Sequence, residues 1–141
     1  MTKRTFSMIK PETVKRGKVP EIKKMIEKNG FKIARGKKIE MTKEQAQELY
    51  KEHKEKPFYD KLINYATSGP VYVMVIEGKG DLIKEYRTLM GATNPAEAEE
   101  GTIRKKFWTG EGITKNVIHG ADSPQSAERE LKIFFDKDEL A

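Results

Sequence analysis

Val71-Tyr72-Val73-Met74-Val75-Ile76 is an unbroken run of β-branched, aromatic and apolar side chains. A strand with one wet face alternates polar and apolar residues. This one does not, so it reads as a central strand buried on both faces. Ser68-Gly69-Pro70 stops whatever precedes it, which is a short helical stretch around Leu62, Ile63 and Ala66. Further upstream, Thr42 with Gln45 three residues on is a capping-box signature. The helix it opens carries Ala46, Leu49, Tyr50 and His53 on one side. Phe31 to Met41 reads as a second strand. Ile22, Met25 and Ile26 fall at helical spacing from Val19, and Asn29-Gly30 closes that helix, Gly30 suiting a left-handed end position. Arg4 to Lys10 alternates and then turns apolar, as a half-buried strand does, until Pro11 and Gly17 interrupt it.

Downstream of the central run, Asp81 opens a helix with Leu82, Tyr86, Leu89 and Met90 inward, ended by Gly91. From Ala92 to about Lys115 no periodicity is visible. Loops of that length inside a compact domain are usually functional, and this one carries Arg104, Lys105 and Lys106. Asn116 to His119 is a short strand. Ser123-Pro124 is an N-cap followed by proline at the first helical position, and the last helix packs Ala127, Leu131 and Phe134. The order βα-β-αα-β-α-β-α implies an α/β fold, an α+β sandwich. A ferredoxin-like four-stranded sheet of the split βαβ kind, with helices packed on one face, fits best.

The 141 residues predict a single domain spanning 1–141. Lys and Arg number 28 against 22 Asp and Glu, a net charge of +6, which suits a polyanionic partner: a phosphate ligand or nucleic acid. The absence of cysteine excludes a disulfide scaffold, a thiolate zinc site and a cysteine nucleophile. No apolar run approaches the roughly 20 residues of a membrane span. Lys137-Asp138-Glu139-Leu140 looks like a retention signal, but Ala141 follows it and no entry signal precedes it. The cytoplasm is the expected location.

Two histidines exist. His53 sits among lysines on a helix and reads as a surface or boundary residue. His119 lies in Asn116-Val117-Ile118-His119-Gly120-Ala121-Asp122-Ser123, at the end of a strand, where ligands gather in such folds. Lys10 before Pro11, Arg87 on a helix and Arg104 in the long loop each read as surface charge when taken alone. Together with an exposed histidine and a structureless loop they suggest a phosphate pocket. Neither GxxxxGK[ST] nor a strand-linked GxGxxG is present.

Six ordered blocks carry a family resemblance. They are Ile9-Lys10-Pro11-Glu12, the Tyr50 to Phe58 segment (YKEHKEKPF), Thr67-Ser68-Gly69-Pro70-Val71, Met90-Gly91-Ala92-Thr93-Asn94-Pro95, Gly101-Thr102-Ile103-Arg104, and Asn116 to Ser123. With them, Arg4 to Phe135 closely resembles nucleoside diphosphate kinase. The resemblance implies ping-pong transfer of the γ-phosphate of a nucleoside triphosphate, mainly ATP, to a nucleoside diphosphate. His119 is then the nucleophile, forming a pros-phosphohistidine, and Glu130 the carboxylate that orients its ring. Tyr50 matches a pocket tyrosine. Lys10, Arg87, Thr93 and Arg104 match phosphate ligands, Asn116 the ligand of the sugar 3′ hydroxyl, and Phe58 the aromatic on which the base stacks. Without the resemblance Glu130 reads as a solvated helix residue and Phe58 as core. Mg²⁺ is expected to ride in on the nucleotide phosphates with no protein ligands. A homo-oligomer, tetramer or hexamer, is expected, and no membrane association.

Two departures stand out. Ala121 occupies a position where the family commonly has serine. The Phe107 to Lys115 stretch is slightly long and carries Trp108. The competing reading is a non-catalytic nucleic-acid-binding module of ferredoxin-like fold. It would require sheet-face aromatics in an RNP pattern, and Lys28-Asn29-Gly30-Phe31 is only a superficial echo. Nucleic-acid binding is therefore expected to be at most weak and non-specific.

Overall fold

The computed structural model describes residues 2–112 and 115–141. Strands β1 (Lys3–Ile9), β2 (Lys32–Ile39), β3 (Val71–Gly78) and β4 (Ile118–Gly120) form one sheet in the order β2-β3-β1-β4. Every neighbouring pair is antiparallel. The helices are α1 (Pro11–Lys15), α2 (Val19–Lys28), α3 (Lys43–Leu49), α4 (Tyr59–Ala66), α5 (Leu82–Met90), α6 (Ile103–Phe107) and α7 (Pro124–Phe134).

The central run behaves as read. Val71, Val73 and Val75 face α3, α4 and α7, in a core with Phe6, Met8, Leu49, Ile63, Leu131 and Phe134. Met74 and Ile76 point the other way, into a core with Ile9, Ile22, Ile26, Leu82, Tyr86 and Ile103. Two apolar layers on one strand require helices on both faces, so the expectation of helices on one face is corrected. With both faces of the central strands β1 and β3 covered, no open face is left there on which bases could stack, which disfavours the nucleic-acid module.

Local signals set several boundaries. Thr42 Oγ1 accepts from Gln45 N–H, and the Gln45 side chain accepts from Thr42 N–H, completing the capping box. Ser123 Oγ accepts from Ser126 N–H, with Pro124 at the first position of α7.

Other boundaries moved. Pro11 opens a helix instead of only interrupting a strand. Its fixed φ and missing N–H fit the first helical position, and Lys10 becomes the cap of α1. The helix read as running to His53 ends at Leu49, and Lys51–His53 is a 3₁₀ turn. The 92–115 segment contains a 3₁₀ turn, Pro95–Glu97, and helix α6. Asn94 Oδ1 accepts from Ala96 N–H and Thr102 Oγ1 from Lys105 N–H. Five residues are too few for helical periodicity to register. Ile113 and Thr114 of the Phe107–Lys115 stretch lie outside the described residues.

Candidate active site

The site is built around an unusual strand. Val117 is the one non-glycine among the described residues with positive φ, at 78°. Ile118 N–H donates to Asn116 C=O across it at 2.9 Å, closing a γ-turn. A β-branched residue in this conformation is strained and persists only when its surroundings hold it there. They do. Val117 is fully buried, and five successive carbonyls, 116 to 120, are all held. Asn116 C=O accepts from Arg104 Nε (3.1 Å) and Ile118 C=O from Arg104 Nη2 (2.7 Å). Val117 C=O accepts from Lys10 N–H (2.9 Å), and Gly120 C=O from Arg87 Nη1 (3.3 Å). His119 C=O accepts from Ser7 Oγ (2.9 Å), which itself accepts from Tyr86 Oη (2.7 Å). β4 is a sheet edge, so arginine side chains take the place of a further strand. The γ-turn also explains why β4 begins at Ile118 instead of Asn116. At Gly120 a Cβ would come within 2.8 Å of the Met90 thioether, so α5 approaches the strand closely there.

Strand alternation sends the His119 ring to the α3/α7 face. Its Nε2 lies 2.7 Å from Glu130 Oε1. The ring centroid is 5.9 Å from Phe6 and 6.2 Å from Tyr50, edge-on to the latter. The histidine side chain is 21% exposed and that of Glu130 only 6%. The carboxylate is thus buried behind a ring that reaches solvent. With Nε2–H donating to the Glu130 carboxylate, the lone pair of a neutral imidazole lies on Nδ1.

Lys10, read as solvated when taken alone, is buried, with its ammonium pushed down from 10.5 to about 7. Burial is the main cause and the nearby Arg104 adds to it. Arg104 is lowered to about 10, first by burial and then by Arg87. The three cations therefore crowd one another, a conflict that a bound anion relieves. Arg104 spends three of its five N–H donors on carbonyls, the third on Gly91 (2.9 Å), and two remain.

Asn116 Nδ2 donates to Thr93 C=O at 3.0 Å, while its buried Oδ1 has no protein partner. Thr93 itself is exposed. Tyr50 is buried and its hydroxyl is held in the protonated form, chiefly by burial and then by the Glu130 charge. Phe58 is 43% exposed, the one large hydrophobic side chain so exposed among the described residues. His53 sits between these two aromatics, with ring centroids 6.5 Å from Tyr50 and 5.4 Å from Phe58, and its buried Nδ1 has no partner. It is half-buried, the boundary position read for it, and it lies beside Tyr50 and Phe58, as its place inside the Tyr50–Phe58 block already suggested.

A cavity of about 1090 Å³ is lined by Arg87, Thr93 and Arg104, but not by His119, Lys10, Tyr50 or Phe58. Five basic residues on its walls, Lys3, Arg4, Lys84, Arg87 and Arg104, meet five acidic ones, Asp81, Glu97, Glu99, Asp122 and Glu128. It is not the space in front of the imidazole. Among the described residues no group of three or more His, Asp or Glu is placed to hold a metal ion. No described helix is long and apolar enough to cross a membrane.

The family model for nucleoside diphosphate kinase matches residues 3–140. A nucleoside diphosphate kinase of Archaeoglobus fulgidus is 53% identical over 137 residues, covering 97% of this chain and 89% of that protein. One from Moorella thermoacetica is 54% identical over 137 residues, covering 97% and 96%. Among solved structures, the Aquifex aeolicus nucleoside diphosphate kinase superposes with a TM-score of 0.92 at 36% identity, covering 99% of each chain. That of Halobacterium salinarum, a complex with CDP, gives 0.90 at 44% identity, covering 99% of this chain and 91% of that one. A central strand covered on both faces, an edge imidazole and crowded cations occur here in a chain that shares half its residues with such enzymes. The chain belongs to the nucleoside diphosphate kinase family, enzymes that transfer phosphate between nucleotides.

Proposed function

We propose that this chain, as one domain over 1–141, works by a ping-pong route through Nδ1 of His119. Nδ1 attacks the γ-phosphorus of a nucleoside triphosphate, mainly ATP. The Nδ1–P bond forms as the bond to the bridging oxygen breaks, and the diphosphate leaves with the electron pair. A different nucleoside diphosphate then attacks the phosphohistidine through a terminal oxygen, and the imidazole recovers its lone pair. The observation that carries this reading is the 2.7 Å contact of Nε2 with the buried Glu130, which leaves Nδ1 free on an exposed ring edge.

Lys10, Arg87, Arg104 and Thr93 would hold the phosphates, where transfer needs positioning and charge stabilisation above all. The orphaned Oδ1 of Asn116 suits a hydroxyl donor such as a sugar 3′-OH. Tyr50, kept protonated, is a hydrogen donor beside the ring. The exposed Phe58 offers a π face, which any base can use. Mg²⁺ would enter as part of the substrate, on the nucleotide phosphates. A cytoplasmic homo-oligomer, tetramer or hexamer, belongs to the same reading.

The decisive experiment is incubation with γ-labelled ATP and no acceptor. An acid-labile, base-stable label on the protein is expected, chased off by any nucleoside diphosphate. Protein that never takes label refutes the route.

Lys10 links binding to pH. Between about pH 7 and 10.5 it is largely neutral in the free protein and charged when unfolded. A phosphate beside it favours the charged form. Nucleotide binding in that window therefore takes up close to one proton, and affinity falls as pH rises. Calorimetry of ADP binding at pH 8, in buffers of different ionisation heat, should show this uptake, and Lys10→Met should abolish it. Wild-type binding without uptake contradicts it.

Ala121 is buried two residues after His119, with its N–H donating to Phe6 C=O at 3.2 Å. Ala121→Ser adds a donor for the phosphoryl group, one hydrogen bond of about 1 kcal/mol, or roughly fivefold. A faster transfer or a longer-lived phosphohistidine is expected; no change in either would show that the hydroxyl is not used.

A further inference from the structure

Arg129 stands next to the buried carboxylate, and no step above uses it. It projects from α7 toward α3. Its Nη1 donates to Glu48 C=O at 2.7 Å and its Nη2 to Glu52 Oε1 at 3.4 Å. The same Nη2 lies 3.7 Å from Glu130 Oε2, and Nη1 lies 4.0 Å from Glu48 Oε1. Glu130 Oε1 is the atom that meets His119 Nε2 at 2.7 Å. The two oxygens of one buried carboxylate are thus divided, one facing the imidazole and the other facing Arg129.

The guanidinium is well suited to this position. Its planar fork bonds several acceptors at once, which an ammonium on a flexible stem does not. A cation at the last carbonyls of α3 also meets the negative end of that helix. The gripped segment, Glu48 to Glu52, contains Tyr50, and its continuation carries His53 and Phe58. Arg129 therefore joins the carboxylate behind the nucleophile to the wall in front of it.

We infer that Arg129 is a positioning residue for phosphoryl transfer, acting through Glu130, which rests on the roles proposed above for His119 and Glu130. It engages the outer oxygen and so keeps the inner oxygen on Nε2, fixing the ring with Nδ1 forward. It also makes the carboxylate and the α3 wall move as one body.

Two phosphoryl donors separate this from simple bracing of the wall. Phosphoramidate carries no nucleoside, so it can reach His119 without using Phe58. Arg129→Met is expected to slow phosphorylation of His119 by phosphoramidate about tenfold, because a carboxylate without its cation no longer fixes the ring with Nδ1 forward. It should slow phosphorylation by ATP at least as much. Arg129→Lys, which keeps a cation beside Glu130 without the fork that grips Glu48 and Glu52, should lose only about threefold. An Arg129→Met protein with an unchanged phosphoramidate rate overturns the inference, even if its KM for nucleotides rises. Should circular dichroism show that the methionine variant is unfolded, the lysine variant decides alone, and a wild-type rate overturns the inference. Wild-type protein that takes no label on His119 from either donor refutes the proposed function itself, a different outcome.

Discussion

His119→Ala is expected to leave a folded protein that takes no label from γ-labelled ATP and turns over at least about 10⁴-fold more slowly, the scale seen when a covalent nucleophile is removed. Two of the ring's neighbours, Phe6 and Tyr50, are aromatic and remain packed in the sheet core. The structural cost falls mainly on Glu130, whose buried carboxylate loses its partner at Nε2. An unsatisfied buried group costs about 1–3 kcal/mol, more when charged. A domain of this size has roughly 5–15 kcal/mol to lose. The fold therefore survives, and circular dichroism on the labelled samples should be native. A mutant that still takes label would move the nucleophile elsewhere.

Arg104→Ala should damage both stability and activity. Arg104 is 6% exposed and holds the carbonyls of Gly91, Asn116 and Ile118. Its loss strands three acceptors, each at about 1–3 kcal/mol, partly offset by relief of the arginine's own burial and by entering water. A net loss of about 3 kcal/mol or more is expected from the same bookkeeping. Arg104→Lys should recover little, because one ammonium cannot reach three carbonyls in a fork. The γ-turn at Val117 loses its clamp in both variants, so His119 is misplaced even in the molecules that remain folded. Transfer should fall further than the loss of one phosphate ligand accounts for. Urea unfolding read beside single-turnover labelling tests this. An unchanged midpoint would mean that water replaces the guanidinium at little cost.

Much of this was readable along the chain. Val71–Ile76 announced a strand covered on both sides, and Thr42–Gln45 and Ser123–Pro124 announced the starts of α3 and α7, because period and cap chemistry are local. Local signals also misled. α6 was too short to show a period, and Pro11 marks equally the end of a strand and the first residue of a helix. In the site, the six family blocks contained most of the residues proposed for it, yet residue type alone described Glu130 and Lys10 as solvated. Each description failed for one reason: burial depends on what packs against a residue from distant parts of the chain.

Composition and periodicity were enough to specify the central strand, the absence of thiol chemistry and the positive charge, since each depends only on residue content or on residues near one another in order. Folding had to supply the rest. A valine at φ 78°, five consecutive carbonyls held from β1, the Lys10 cap of α1, α5 and α6, and one carboxylate shared by an imidazole and a guanidinium join residues as much as 112 positions apart. Strain of that kind is tolerated only when separate elements constrain it together, and no stretch of sequence contains them all.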